Sequence, residues 1–295
     1  MKKIIYTLVG AALLLCGCST AADEEEMQGG STEMHFAVQH PHASRATALG
    51  FEAQDAMGVY VTHYEGETAP LLQYTGNYAN NVKTVFDGAA WKPAFPIYWA
   101  PGKFDVYAYY PYAEPYSTDN YKFSVALDQS TPETPEALGG YEQSDFLWAK
   151  ATGVSQMDQV PLTFSHRLSK LTVRLKKGPL YEGAFPDDMI VKVHSTVTDA
   201  TIDLATGFAT KDGRAPQHSI TAHKVDVDHY EAIVIPQRLE NKVPLVEVIT
   251  QGVSYIVDSR FVFKMGTEHT YTVTLNGNPD QIKIEIGGEI ENNWQ

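Results

Sequence analysis

The sequence predicts an all-β protein built from antiparallel β-sandwiches, and three observations support this prediction. Apolar and polar residues alternate in short runs along most of the chain, for example in residues 170–175 and 271–275. The intervening segments carry turn-forming pairs such as Asp212-Gly213. No long helical pattern occurs, and residues 134–143 predict a loop with one turn at most. With 295 residues, 43% of them hydrophobic, the chain can form two domains.

The first seventeen residues predict a lipoprotein signal peptide. Lys2 and Lys3 give a positive start, and residues 4–15 form an apolar stretch too short to span a bilayer. Residues 15–18 read Leu-Cys-Gly-Cys, which supplies the small residue and the cysteine that a bacterial lipoprotein signal peptidase requires. Acylated Cys18 would then hold the protein on a membrane by its lipid anchor alone. The alternative is an ordinary cleaved secretory signal with an incidental cysteine.

Residues 18–31 predict an acidic, flexible tether. The run from Ser19 to Glu26 is small and polar and ends in Asp23-Glu24-Glu25-Glu26. This run resembles the export tag that sends lipoproteins of the Bacteroidetes to the outer leaflet of the outer membrane. We therefore expect an outer membrane lipoprotein at the cell surface, although the same composition suits a tether with no targeting role.

Charge and cysteine content argue against a nucleic-acid-binding protein and against a fold held by disulfides. The 22 basic residues less Lys2 and Lys3 leave 20 against 36 acidic ones, a net charge of −16 that argues against nucleic acid as a partner. Both cysteines, Cys16 and Cys18, lie in or next to the signal, so the mature chain has no internal disulfide.

A domain boundary is predicted after Lys176, giving an N-terminal sandwich over residues 32–176 and a C-terminal one over 177–295. The N-terminal part contains a dense group of aromatic residues: Trp91, Tyr98, Trp99, Phe104, Tyr107, Tyr109, Tyr110 and Tyr112. These residues predict core and sheet surface, and a carbohydrate-stacking platform is the minority interpretation.

The sequence offers no catalytic set, and no cofactor is predicted. The segments around Ser155 and Ser254 lack the second glycine of a nucleophile elbow. Two groups of histidines occur, but neither has the order of metal ligands, and no carboxylate is placed to orient a ring. The groups are His35, His40 and His42, and His218, His223 and His229. Asp187-Asp188 and the pair Asp226 and Asp228 lack the glycine of a calcium loop and predict solvated turns.

Several short segments in order resemble the fimbrillin family, the type V pilins of the Bacteroidales. The most specific are Tyr-Tyr-Pro-Tyr at residues 109–112 and Phe-Ser-His-Arg-Leu-Ser-Lys-Leu at residues 164–171. Others are Met-His-Phe-Ala-Val at 34–38, Ser-Arg-Ala-Thr at 44–47, Pro-Ile-Tyr-Trp at 96–99, Asp-Phe-Leu-Trp-Ala at 145–149 and Gly-Thr-Glu-His-Thr-Tyr at 266–271. Each is short, and their order along nearly the whole mature chain carries the resemblance.

The resemblance implies two transthyretin-like β-sandwiches in tandem, in a fimbrial subunit that contributes to adhesion. It also implies that an arginine-specific protease removes the first strand of the N-terminal domain, and that a strand from a neighbouring subunit fills the groove. The partners are then other fimbrial subunits, together with a possible host or bacterial surface ligand.

Carried onto this sequence, the cut falls between Arg45 and Ala46, in a small loop-like segment after the first strand. Alternation predicts that Met34, Phe36 and Val38 are the buried residues of this removable strand. Arg45 is otherwise an ordinary surface arginine. A candidate donor strand lies at the other end of the chain, with its apolar series at Ile282, Ile284, Ile286, Ile290 and Trp294. The same residues equally fit the last strand of the C-terminal sandwich.

A removable strand together with a donor strand favours a stalk subunit over a tip or an anchor. The competing function is a surface lipoprotein that binds a glycan or a host ligand through its aromatic residues without polymerising. A hydrolase is the third class, and it lacks a nucleophile, base or metal cluster from which to start.

Overall fold

The computed structural model describes residues 32–41, 50–276 and 291–294. The described part of the chain contains twenty β-strands and one 3-10 turn, Glu142–Ser144, with no α-helix. The all-β prediction is confirmed, and the single turn lies at the end of the segment predicted as a loop. No helix in these residues is long and apolar enough to cross a membrane.

Nine strands precede residue 168. They are β1 Phe36–Gln39, β2 Ala56–His63, β3 Ala79–Phe86, β4 Trp91–Pro93, β5 Phe104–Tyr110, β6 Tyr121–Ser124, β7 Leu147–Val154, β8 Val160–Thr163 and β9 Ser165–His166. An antiparallel sheet of six strands has the order β4-β3-β2-β5-β7-β9. The first strand, β1, pairs in parallel with β8.

Eleven strands follow. They are β10 Ser169–Lys177, β11 Ile190–Val197, β12 Asp199–Asp203, β13 Phe208–Lys211, β14 Gln217–Thr221, β15 His223–Asp226, β16 His229–Val234, β17 Gln237–Thr250, β18 Val253–Phe263, β19 Thr267–Leu275 and β20 Glu291–Asn293. They form sheets of order β15-β16-β10-β19-β20 and β14-β11-β17-β18, and a third sheet, β13-β12-β6, which includes one earlier strand.

Two pairings depart from the purely antiparallel arrangement that the sequence predicts. β1 runs parallel to β8, and β10 runs parallel to β19 over nine residues. Turn residues between adjacent strands reveal hairpins, but both of these pairs join strands distant in sequence. The local sequence pattern therefore does not predict these two parallel pairings.

The change from one set of sheets to the next falls before Ser169, whereas the sequence-based boundary lies after Lys176. β10 pairs with β16 and β19, so it belongs to the sheet formed by later strands. In addition, β6 pairs with β12 across the proposed division. The division into two transthyretin-like units remains a prediction.

Strand β5 shows how the two cores meet. All seven of its residues are buried, although its sequence alternates like a strand with one wet face. Phe104, Val106 and Ala108 belong to a core formed by the earlier strands, and Tyr107 and Tyr109 belong to a larger core that includes most of the later strands. Alternate side chains of β5 therefore face two different apolar cores, instead of a core on one side and solvent on the other.

A buried charge in β5 is fully satisfied. Asp105 is 1% exposed and accepts hydrogen bonds from Tyr64 Oη and Gly153 N–H, both at 2.8 Å, while Lys150 Nζ lies 3.1 Å away. Burial alone would raise the pKa of Asp105, but these donors outweigh it and lower the pKa. The paired carboxylate ties β5 to the end of β7.

Candidate strand-exchange site

The first strand, extended to include residues 32–35 before β1, has backbone partners from two parts of the domain, one part for each half of the segment. Residues 32–34 lie against residues 97–99 through an antiparallel bridge between Glu33 and Tyr98, and β1 lies against β8. Four backbone hydrogen bonds mark these contacts: Met34 N–H to Ile97 O at 2.7 Å, Trp99 N–H to Thr32 O at 2.8 Å, Val160 N–H to His35 O at 2.7 Å and Phe164 N–H to Gln39 O at 3.0 Å. The segment therefore occupies a slot formed by these two parts of the domain.

Over residues 34–36 the side chains alternate between buried and exposed, as the sequence predicts. Met34 is 1% exposed and Phe36 is 5% exposed, and both belong to the core of the earlier strands. His35 and Gln39 are exposed, whereas Val38 is only half-buried. The first strand thus contributes two large apolar side chains to the core.

The walls of the slot are apolar. Val160 and Leu162 of β8 are completely buried, and Ile97 and Trp99 on the other side are almost so. All four belong to the same core as Met34 and Phe36. Without the first strand, the slot would present apolar side chains together with backbone groups that lack partners.

The predicted lipidation and cleavage residues cannot be placed on this geometry. Cys18, Arg45 and Ala46 lie outside the described residues, as do Ile282, Ile284, Ile286 and Ile290 of the candidate donor strand. Their roles remain predictions.

Trp294 is the member of the predicted donor series that the structure describes, and it is docked within its own chain. β20 pairs antiparallel with β19, with Asn293 opposite Thr267, and Trp294 N–H donates to Gly266 O at 2.9 Å. The Trp294 side chain is 4% exposed and belongs to the larger core. In this chain the described C-terminal residues form the last strand of a sheet, which is the alternative that the sequence left open.

Residues 164–171, the segment most specific to the resemblance, carry polar side chains whose partners the sequence did not reveal. His166 Nδ1 lies 2.8 Å from Asp145 Oδ1, and Arg167 lies over the Trp148 ring at 4.4 Å. Lys170 Nζ is 3.7 Å from Glu231 Oε1 and 3.2 Å from Glu268 Oε1. In the sequence Lys170 is one of the polar residues of an alternating strand, so nothing marks it as buried, and its partners come from β16 and β19.

Glu231 is the centre of this buried charge group. It lies 3.1 Å from His229 Nε2 and accepts a hydrogen bond from Tyr141 Oη at 2.7 Å. Burial alone would raise the pKa of Glu231, but His229, Lys170 and Tyr141 outweigh it and lower the pKa from 4.5 to about 2. The group holds three strands of one sheet and the loop of Tyr141 together.

The histidines form no metal site among the residues that the structure describes. No three His, Cys, Asp or Glu side chains in residues 32–41, 50–276 and 291–294 are placed to hold a metal ion. His35 is exposed, His40 packs on Phe51, and His223 packs on Tyr141. His42 lies outside the described residues.

The N-terminal aromatic residues are mostly core. Six of the eight are buried: Trp91, Trp99, Phe104, Tyr107, Tyr109 and Tyr110. Tyr98 is 40% exposed, and Tyr112 is half-buried. Most of this group is therefore core, as the sequence predicts.

Residues 44–294 match a family model described as Fimbrillin-like. The chain belongs to the fimbrillin-like family. It is accordingly a fimbrial or adhesion-related subunit that associates with other fimbrial subunits in a cell-surface appendage. No curated protein matches this fimbrillin-like chain.

Solved structures share the fold of this fimbrillin-like chain. A candidate cell adhesion protein from Bacteroides uniformis is 22% identical with a TM-score of 0.66, over 91% of this chain and 99% of that one. A second, from Bacteroides ovatus, is 20% identical with a TM-score of 0.71, over 90% and 98%. A fimbrial protein from Bacteroides ovatus is 16% identical with a TM-score of 0.51, over 84% of this chain and 49% of that one.

Proposed function

We propose that this chain is a structural subunit of a cell-surface fimbria that assembles by strand exchange after proteolysis. In this proposal the chain is exported as a lipoprotein acylated on Cys18 by way of the lipoprotein signal peptidase. An arginine-specific protease then cuts between Arg45 and Ala46, and the first strand leaves its slot. Membership of the fimbrillin-like family supports this proposal, as does the likeness to a solved structure that is described as a fimbrial protein.

The observation that carries the proposal is the position of the first strand. Its residues 32–34 are bound to residues 97–99 and its residues 35–39 to residues 160–164, it buries Met34 and Phe36, and Arg45 follows it by a few residues. A cut after Arg45 would therefore separate an element that fills a slot from the domain that contains the slot. An added strand of suitable alternation restores the backbone hydrogen bonds and covers the apolar walls at once.

The candidate donor is the end of the chain, with Ile282, Ile284, Ile286, Ile290 and Trp294 as its apolar series. Because Trp294 is buried in its own chain, donation would require the pairing of β20 with β19 to open. A stalk subunit needs both the slot and the donor, so the stalk role depends on this release.

Limited trypsin digestion tests the proposal. We expect selective cleavage after Arg45, identified by N-terminal sequencing, followed by growth of ladders that resist sodium dodecyl sulphate. The Arg45→Gln variant should remain uncut at this position and monomeric, whereas Arg214→Gln, which changes an exposed arginine of the later strands, should behave as the parent does. Cleavage that leaves a persistent monomer would contradict assembly by strand exchange.

The competing proposal, a surface lipoprotein that binds a glycan or host ligand without polymerising, loses its main support in the burial of the aromatic residues. It remains the interpretation that a monomeric cleavage product would favour.

A further inference from the structure

A cavity of about 160 Å³ lies between the early loops and the end of the chain, apart from the slot of the first strand. Cavities of roughly this size hold a group as large as a benzene ring. The residues that line it include His166, Lys170, Trp294, Phe51 and Tyr110. The strand-exchange proposal assigns no role to this cavity.

Among the described residues, five carboxylates line the cavity: Glu52, Asp55, Glu133, Glu142 and Asp145. Within the described ranges none of them forms an ion pair with a lysine or arginine. Lys170, a cation of the described lining, is already engaged with Glu231 and Glu268. The described lining therefore carries an excess of negative charge, and repulsion from Glu142, Glu52 and Asp55 adds to burial in raising the pKa of Glu133.

A second observation comes from His166, which is 4% exposed. Its Nδ1 lies 2.8 Å from Asp145 Oδ1, so in the neutral ring the proton resides on Nδ1 and Nε2 is an acceptor. Nε2 is buried and has no hydrogen-bond partner among the described residues. A buried acceptor beside a cavity requires a donor, and a ligand that carries N–H groups supplies one.

Aromatic side chains complete the described lining. Trp294 is already stacked on His166 and has Lys170 Nζ 5.6 Å from its ring, whereas Phe51 packs edge to face against Tyr110 with ring centroids 5.3 Å apart. Carboxylates beside aromatic side chains suit an organic cation, because the charge meets the carboxylates while the carbon stem packs on the rings. A bare metal ion is a poorer fit, since the described carboxylates and histidines do not converge on one point.

Part of the loop that carries three of the five carboxylates is held in place before any ligand binds. Ser144 Oγ donates to Gly140 O at 2.7 Å and accepts from Ala126 N–H at 2.9 Å. Gly140 N–H donates to Thr131 O at 2.9 Å, and a Cβ at Gly140 would collide with the backbone of Asp128. These contacts fix the part of the loop from Gly140 to Ser144, so Glu142 and Asp145 are prepositioned beside the cavity, whereas Glu133 lies in an exposed part of the loop.

From this arrangement we propose that the cavity binds a guanidinium or primary ammonium group, with Glu133, Glu142 and Asp145 facing the charge and His166 Nε2 accepting one of its N–H groups. The group can come from a free small molecule or from an arginine or lysine side chain of a partner protein.

Calorimetric titration of the full-length chain with n-butylguanidinium and with n-butylammonium tests this proposal, with neutral n-butylurea as a probe of the same shape as butylguanidinium. We expect saturable binding of at least one of the two cations, at least about tenfold weaker binding of butylurea, and weaker binding as salt increases. The double variant Glu133→Gln/Glu142→Gln should bind about fivefold or more weakly. The control Glu182→Gln/Glu240→Gln, which changes net charge equally at two exposed positions away from the cavity, should bind like the parent.

A second titration separates the two sources of the cation. A blocked Gly-Gly-Arg-Gly-Gly peptide that binds, when its glutamine counterpart does not, supports capture of a partner side chain. Binding of butylguanidinium without the peptide supports a free small molecule. No binding of either butylguanidinium or n-butylammonium, equal binding of butylurea, or an unchanged affinity in the glutamate double variant would overturn the proposal.

Discussion

The indole of Trp294 lies flat on the imidazole of His166, with ring centroids 3.6 Å apart and planes within 5° of each other. His166 belongs to β9, the edge strand of the six-stranded sheet, and Trp294 follows β20, the edge strand of another. One stacked pair thus joins the end of the chain to a sheet built from early residues. The donor-strand proposal depends on how strongly this pair holds.

Replacing Trp294 with alanine should lower the free energy of unfolding by about 3 kcal/mol, because a large buried side chain is lost and the cavity it leaves cannot fully collapse. Urea unfolding measures this loss. Tyr116→Ala is the control, since Tyr116 is 94% exposed and its removal should change stability by no more than about 0.5 kcal/mol. Equal effects of the two substitutions would show that the terminus is not docked.

Replacing Phe36 with aspartate should destabilise the uncut chain by about 4 kcal/mol, because it removes a buried ring and places an unpaired charge in the core. His35→Asp puts the same charge on the exposed face one residue earlier and should cost about 0.5 kcal/mol or less. Thermal or urea unfolding of both variants checks the contrast. A Phe36→Asp protein as stable as the parent would show that the first strand is not part of the core.

The free energy of unfolding should fall in acid because Glu231 becomes protonated. The pKa of Glu231 in the folded chain is lowered from 4.5 to about 2, so its stabilising contribution is complete above about pH 4.5 and is lost as the pH falls toward 2. Glu231→Gln should be less stable at pH 7 and should lose less stability between pH 4.5 and 2.5, measured by urea unfolding. The exposed control Glu182→Gln should keep the parental slope. Identical slopes for Glu231→Gln and the parent would contradict the buried charge group.

Gly58 should not accept a side chain. A Cβ there would lie 2.5 Å from Asn81 Oδ1 and closer still to the ring of Tyr109, which is itself held by its hydroxyl donating to Ala113 O at 2.7 Å. Gly58→Ala should therefore destabilise the chain by about 2 kcal/mol. At Gly213 a Cβ meets nothing within 4 Å, so Gly213→Ala should be neutral in the same unfolding measurement.

Much of the fold could be predicted from local pattern, because alternation and turn residues report strands and their ends. The first strand illustrates this, since Met34 and Phe36 are buried and His35 is exposed as alternation requires. The parallel pairing of β10 with β19 could not be predicted in this way, because it joins residues about a hundred positions apart. That pairing also explains why the change of sheet precedes Ser169 rather than following Lys176.

The two candidate sites also differ in how far the sequence predicts them. Residues of the first strand and its slot follow from pattern and resemblance. The cavity does not, because its carboxylates come from separate loops and other lining residues come from positions 166, 170 and 294. Only the folded chain brings these side chains together.

A disulfide lock on the first strand tests the central claim most directly. Gln39 and Thr163 are exposed register partners in β1 and β8, and Thr163 Oγ1 donates to Gln39 Oε1 at 3.1 Å. Adjacent strands lie within disulfide reach, and a chain that starts at residue 19 contains no other cysteine than the pair in Gln39→Cys/Thr163→Cys. After cleavage at Arg45, strand exchange predicts that the oxidised protein stays monomeric and that the reduced protein forms ladders resistant to sodium dodecyl sulphate. Ladders of equal extent in both forms would show that the chain assembles without releasing its first strand.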